Sequence, residues 1–229
     1  MAAAEAGTVA GAVADGAALR QAIVATALQM NALGINRGKS GNVSARIGGG
    51  FLVTPSALPY DQTHPEDIVT VRDDGSAVGR RTPSSEWRFH RAIYQARPEV
   101  QAIVHAHSPF ATTLACLDRG IPAFHYMVAV AGGADIRCAS YATFGTQALA
   151  DEVLRAMDGR RACLLSHHGM IATGASLEAA LALAVEVETL AEMYWRVLQI
   201  GEPTILSEQE MKIVLARFAD YEAGRAGAD

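Results

Sequence analysis

Apolar and polar residues alternate along the chain with two periods, one helical and one extended. Leu19, Ile23, Ala27 and Met30 recur at helical spacing and predict an amphipathic helix ending near Gly34. The polar, glycine-rich loop Asn36-Arg37-Gly38-Lys39-Ser40-Gly41-Asn42 follows. Val43 to Ile47 alternates with period two, and Gly48-Gly49-Gly50 turns the chain into Phe51-Leu52-Val53, which predicts a β-hairpin. Pro55, Pro59 and Pro65 punctuate the next loop. Ile68 to Val71 reads as a short strand, and Asp73-Asp74-Gly75 as a turn.

Ser84 to Ala96 reads as a helix with Ser84 or Ser85 at its N-cap and Pro98 beyond its end. Val100 to His107 reads as a strand, and Pro109 suits the first turn of a following helix. Ile121 to Phe144 is glycine-rich and shows no clear period. Gln147 to Met157 reads as a helix, and Ala162 to Ser166 as a buried strand running into His167-His168-Gly169. Ser176 caps a long helix from Leu177 to about Ile200, closed by Gly201 and Pro203, and Glu208 to Tyr221 forms the last helix. Strands and helices mix without strict βαβ order. The expected fold is therefore one layered α/β domain with a largely antiparallel sheet, spanning 17–222, with 1–16 and 223–229 as flexible ends.

Composition narrows the picture. Half of the 229 residues are hydrophobic, enough for one sizeable core. The formal net charge is −5, and no run of Lys or Arg stands out, which argues against a nucleic-acid partner. A small anion needs only a local cradle and stays open. Cys116, Cys138 and Cys163 are far apart and odd in number, so buried thiols are a better reading than a disulfide framework. The start carries no Lys or Arg and does not read as a secretory signal. The longest apolar stretch, Leu177 to Leu198, is broken by Glu178, Glu186, Glu188 and Glu192, too polar for a membrane span. The expectation is a cytoplasmic protein.

The sharpest chemical signal is Val104-His105-Ala106-His107. Residues two apart on a strand share a face, so both imidazoles can reach one metal ion. A catalytic zinc commonly takes three protein ligands and leaves a position open. His167 or His168, at the end of another strand, can supply the third. Glu86 reads in two ways: as an acidic residue complementing a helix dipole, or as a carboxylate general base beside a metal-polarised carbonyl. Ser40-Gly41-Asn42, Thr54-Pro55-Ser56 and Ser84-Ser85 are small, polar, turn-like segments of the kind that turn N–H groups and hydroxyls towards phosphate.

Taken together, the segments Gly41-Asn42-Val43-Ser44-Ala45-Arg46, Thr54-Pro55-Ser56-Ala57-Leu58-Pro59-Tyr60 and Pro83-Ser84-Ser85-Glu86-Trp87-Arg88-Phe89-His90 closely resemble the class II aldolase/adducin family. So do the His-x-His pair, Ile121 to Met127 with the later Ala-Gly-Gly, Tyr141 to Thr146, and Leu164 to Gly169. They stand in family order from about residue 19 to residue 221, nearly the whole chain. The resemblance implies an α/β/α sandwich assembled as a C4 homotetramer with active sites between subunits. It implies one Zn²⁺ per subunit, with Co²⁺ or Mn²⁺ as substitutes, on His105, His107 and His168, with Glu86 as acid/base and as a further ligand in the absence of substrate. It implies that phosphate sits among Gly41, Asn42, Ser56, Ala57, Ser84 and Ser85. Tyr126 of a neighbouring subunit would handle the proton on the aldehyde oxygen, and Tyr221 would help shield the site.

The implied activity is reversible cleavage of a ketose 1-phosphate of the L-fuculose 1-phosphate type into dihydroxyacetone phosphate and a small aldehyde, through a metal-stabilised enediolate. Related readings are the same reaction on 5-deoxyribulose 1-phosphate or 5-methylthioribulose 1-phosphate, a 4-epimerase acting on L-ribulose 5-phosphate, and a non-catalytic interaction domain of the adducin type. Three positions depart from the aldolase pattern. Ser56 stands where that pattern has threonine and keeps a hydroxyl. Ala57 stands where that pattern has glycine, and Ser166 replaces a larger polar residue before the two histidines.

Overall fold

The period-two segments pair into one eight-stranded sheet in the order β4-β3-β2-β1-β5-β8-β7-β6. The strands are β1 (Asn42–Ile47), β2 (Gly50–Val53), β3 (Val69–Arg72), β4 (Ala77–Val78), β5 (Ala102–Ala106), β6 (Cys138–Ala139), β7 (Ala162–Leu165) and β8 (Gly169–Gly174). The helices are α1 (Ala2–Ala32), α2 (Trp87–Ala96), α3 (Pro109–Ala115), α4 (Gln147–Ala156), α5 (Leu177–Ile200) and α6 (Glu208–Glu222). These come from a computed structural model that describes residues 2–222 and Gly224, apart from the side chains of residues 2–15 and 222. Of the expected loose ends, 223–229 falls outside what is described apart from Gly224, whereas the backbone of 2–16 is helical and forms the first half of α1.

Neighbouring strands run antiparallel except β6 beside β7, which are parallel. Alternation along each strand then builds two cores. Val43 and Ala45 of β1, Val104 and Ala106 of β5 and Met170 and Ala172 of β8 pack with Ile23, Ala27 and Met30 of α1 and with α3 and α5. Phe51, Ile103, Cys163, Leu165 and Ile171 point the other way, onto Phe89 and Ile93 of α2 and Leu149 and Val153 of α4. The result is an α/β/α sandwich with a largely antiparallel centre, as the strand pattern predicts. Each large aliphatic side chain buried in these layers stabilises the fold by roughly 1.5–3 kcal/mol.

Two expectations change. The sequence reading has no strand after His168, yet β8 lies inside the sheet between β5 and β7. Its sequence, Gly-Met-Ile-Ala-Thr-Gly, is short, glycine-ended and lacks a polar–apolar alternation. His167 adopts φ 54°, which folds the chain back so that β8 pairs with β7. Second, neither Ser84 nor Ser85 caps α2. The N-cap is Glu86, whose side chain makes no capping bond. The Ser84 hydroxyl instead accepts the Glu86 N–H at 3.3 Å, and the Ser84 carbonyl accepts the Trp87 N–H at 3.1 Å. That turn frees the Glu86 carboxylate to point into the sheet face.

Candidate metal centre

His105 sits near the C-terminal end of β5 on the α2 side of the sheet, and His107 lies one residue past the strand end. His168 follows β7 in the turn to β8, the strand between β7 and β5. Gly169 makes the approach possible: a methyl there would press on the Ala106 carbonyl oxygen and come within 3.1 Å of the His107 ring. Adjacent strand ends thus supply all three imidazoles, and the loop before α2 supplies Glu86 from across that face.

One ligand atom from each of Glu86, His105, His107 and His168 lies within 4.8 Å of the others. His105 Nε2 is 3.0 Å from His107 Nε2 and 3.1 Å from Glu86 Oε2, and His168 Nε2 is 3.0 Å from Glu86 Oε1. His105 Nδ1 lies 2.9 Å from the Met170 carbonyl oxygen. A carbonyl only accepts, so Nδ1 carries the proton and a neutral ring presents a bare lone pair at Nε2. That lone pair faces a carboxylate and a second imidazole. Glu86 Oε1 is buried and accepts no hydrogen bond despite its closeness to His168. Electron-rich atoms converging in this way fit a divalent cation between them. Zinc–nitrogen bonds of 2.0–2.1 Å in a tetrahedron separate ligand atoms by about 3.3 Å.

A cation among these groups also suits Glu86. Burial pushes its carboxyl up, but positive charge at His105 and His168 outweighs that and holds the group well below the usual carboxylate range, and an ion bound in place of that charge would do the same. Burial, reinforced by His105 and His168, pushes His107 down to about 3, which keeps its ring neutral and able to bind a metal.

A cavity of about 610 Å³ opens on this cluster. Of the residues singled out from sequence, Ser40, Ala57, Ser85, Glu86, His107, His167 and His168 line it. Gly41, Asn42 and Ser84 are buried behind the wall, and Ser56 is exposed outside the lining. The Ser56 N–H donates to Thr82 O and the Ser84 N–H to Thr54 O, each at 3.0 Å, which ties the two polar turns together. Asn42 Nδ2 donates to Glu86 Oε2 at 2.9 Å. Ala57 has φ 60°, the left-handed region that favours glycine, and Lys39 Nζ donates to its carbonyl at 3.0 Å.

Tyr126 and Tyr221 do not line the cavity of their own chain. Tyr126 stacks on Phe218 of α6 at a centroid distance of 6.4 Å, and both tyrosines are exposed. Sequence reasoning missed Arg37, Lys39, Tyr141, Ala142 and Phe144, which do line it, while His167, the other candidate for third ligand, lines the cavity but lies outside the cluster. Their signal was present in the glycine-rich loop before Asn42 and in the segment Tyr141 to Thr146. Arg88 Nη1 donates to Gly145 O at 2.9 Å and anchors that second segment beside Ser85.

An α/β/α sandwich whose sheet carries three histidines, with a glutamate facing them, could hold one metal ion beneath an open cavity. Residues 21–195 match the Class II Aldolase and Adducin N-terminal domain, and the chain belongs to that family. It is 58% identical over 204 residues to the 5-methylthioribulose-1-phosphate/5-deoxyribulose-1-phosphate aldolase of Rhodospirillum rubrum, covering 89% of this chain and 92% of that protein. It is 47% identical over 204 residues to the L-fuculose phosphate aldolase of Escherichia coli K12, covering 89% and 95%. A solved structure of L-fuculose 1-phosphate aldolase superposes with a TM-score of 0.85 at 39% identity, covering 87% of this chain and 95% of that one. Among the described residues no helix is long and apolar enough to cross a membrane.

Proposed function

We propose that this protein is a metal-dependent aldolase that cleaves a ketose 1-phosphate between C3 and C4, giving dihydroxyacetone phosphate and a small aldehyde. The observation that carries the reading is the convergence of ligand atoms from His105, His107, His168 and Glu86 beneath an open cavity. These residues would hold one Zn²⁺ per chain, with Co²⁺ or Mn²⁺ able to share such ligands. A bound ion of this kind supplies Lewis acidity at the substrate's carbonyl and hydroxyl oxygens.

The chain's own groups do the rest. Glu86, ionised and held from behind by Asn42, takes and returns the proton at C3, the carbon freed when the bond breaks. The turns around Ser40-Gly41-Asn42, Ser56-Ala57 and Ser84-Ser85 cradle the phosphate, and Arg37 and Lys39 add positive charge at the cavity wall. Binding the phosphate remotely holds the reacting carbons in place. Tyr126 and Tyr221, exposed and away from their own cavity, complete the site of a second copy in a homotetramer, Tyr126 handling the proton at the C4 oxygen.

For the substrate we favour 5-deoxyribulose 1-phosphate and 5-methylthioribulose 1-phosphate, ahead of the L-fuculose 1-phosphate type expected from sequence. The more similar relative carries that activity in its name. Ala142 and Phe144 also give the cavity an apolar wall, which suits an aldehyde without a hydroxyl beside its carbonyl. The test is release of dihydroxyacetone phosphate from 5-deoxyribulose 1-phosphate and from L-fuculose 1-phosphate, with and without a chelator. Faster, chelator-sensitive release from the deoxy sugar is expected. No release from either by the metal-loaded protein would overturn the aldolase reading in favour of an epimerase or a non-catalytic role.

A further inference from the structure

Behind Glu86 and Asn42 lies a run of buried polar groups, Ser44, His90 and Tyr94, to which the reading above gives no role. Asn42 Oδ1 is 2.5 Å from His90 Nε2, His90 Nδ1 is 2.7 Å from Ser44 Oγ, and Ser44 Oγ is 2.8 Å from Tyr94 OH. Asn42, Ser44, His90 and Tyr94 are all buried. Glu86, His90 and Tyr94 are spaced four apart along α2 and its N-cap, while Asn42 and Ser44 are two apart on β1. One face of a helix therefore interleaves with one face of a strand.

The donors in this run have one consistent direction. The Glu86 carboxylate only accepts, so Asn42 must turn its Nδ2 towards it. Asn42 then offers Oδ1 to His90, and an amide oxygen also only accepts, so His90 Nε2 carries the proton. Burial pushes the His90 pKa down to about 3, so its ring is neutral and Nδ1 is bare. Ser44 must donate to that nitrogen, and Tyr94 to Ser44. Every hydrogen in the run points towards Glu86. Flipping Asn42 would set its oxygen against the carboxylate and its NH₂ against the Nε2–H.

We propose that His90 is a positioning residue for Glu86. Locked by Ser44 as the neutral Nε2–H tautomer, it fixes the Asn42 amide and so decides which way the Glu86 carboxylate faces, towards both the metal position and the substrate. The assignment rests on the acid/base reading of Glu86 given above, but it also has a consequence that needs no substrate. A group orienting a metal-binding carboxylate from behind changes metal affinity or activity by roughly tenfold to a hundredfold when removed.

The experiment compares wild type with His90→Leu, His90→Gln and Ser44→Ala. Zn²⁺ affinity is read by competition with a chromogenic chelator. kcat and KM are measured on the metal-loaded proteins, and the ¹⁵N shifts of the His90 ring report its tautomer. Expected are an Nε2–H tautomer, and Zn²⁺ affinity and kcat lowered roughly tenfold or more in His90→Leu with KM nearly unchanged. His90→Gln, which still has a donor for Asn42 and an acceptor for Ser44, should recover most of both. Should His90→Leu not fold, Ser44→Ala takes its place, with a smaller loss in the same two quantities. An Nδ1–H tautomer, wild-type Zn²⁺ affinity in a folded variant, or a loss that tracks melting temperature and that glutamine does not recover would each overturn the proposal. If wild type binds Zn²⁺ but releases no dihydroxyacetone phosphate, the aldolase reading fails, while affinity and tautomer still decide the role of His90.

Discussion

Gly41 lies so close to the backbone of His105 that a methyl on it would come within 2.5 Å of the His105 carbonyl oxygen. Gly41 precedes Asn42, the residue that faces His105 across the β1–β5 pair. The Tyr60 hydroxyl donates to the Gly41 carbonyl and pins the loop from its other side. The loop before β1 is therefore pressed against the strand that carries His105, the first of the proposed metal ligands. Gly41→Ala should destabilise the fold by about 1–3 kcal/mol, the usual range for an overpacked interior. It should also weaken Zn²⁺ binding. Urea melts and chelator competition would check this; a melt unchanged from wild type would mean that the loop can move away at little cost.

Removing one imidazole should empty the centre. His107 is partly buried, and its ring lies 4.8 Å from the His168 ring and 4.9 Å from the His105 ring. His107→Ala should lose stoichiometric metal, measured by elemental analysis after desalting, and turnover with it. A variant that keeps one metal per chain and full activity would sink the assignment of His107 as a ligand.

Glu86→Gln keeps the shape of the side chain and removes its charge. The proposed phosphate cradle lies on other residues, so binding of dihydroxyacetone phosphate should survive. Turnover should fall roughly a hundredfold or more, the range for a lost general acid/base. Isothermal titration alongside steady-state kinetics separates the two effects, and a joint loss of both would count against the acid/base role.

His90 makes stability depend on pH with a definite sign. Its pKa is 6.5 in an exposed setting and about 3 in the fold, so below pH 6.5 the unfolded chain takes up a proton that the folded chain refuses. Its contribution is complete above pH 6.5 and is lost as pH falls towards 3, by about 1.4 kcal/mol for each unit. Urea midpoints at pH 7, 6, 5 and 4 should therefore fall more steeply for wild type than for His90→Gln. Parallel slopes would show that the imidazole does not resist protonation.

Much of this architecture was legible in the chain. Ser176 and Gly201 bracket α5 where expected, and the Ser176 hydroxyl accepts the Ala179 N–H at 3.1 Å. The β1–β2 hairpin follows from its glycine turn, and the His-x-His pair led directly to the cluster. What the sequence hid depends on tertiary context. β8 has no strong period of its own and is a strand because β5 and β7 flank it. The start of α3 shows the same limit. Ser108 holds the N-cap position, yet the N–H groups of Phe110 and Ala111 donate to the two Glu188 carboxylate oxygens at 2.8 and 2.9 Å, a cap delivered from α5. Arg37, Lys39, Tyr141 and Phe144 reach the cavity from loops, where no periodicity marks a facing direction.

The pairing of Asn42 with His105 and of Ser44 with Ile103 has a consequence for how the chain finds its fold. Sliding β1 by one residue would exchange its two faces. Val43 and Ala45 would then meet the His90 ring, while Asn42 and Ser44 would sit among the alanines and leucines beneath α5. Each misplaced polar group, left without a partner, costs on the order of 1–3 kcal/mol. The polar groups behind the site thus act as a proofreader of strand alignment: only a correctly threaded sheet can assemble the catalytic face.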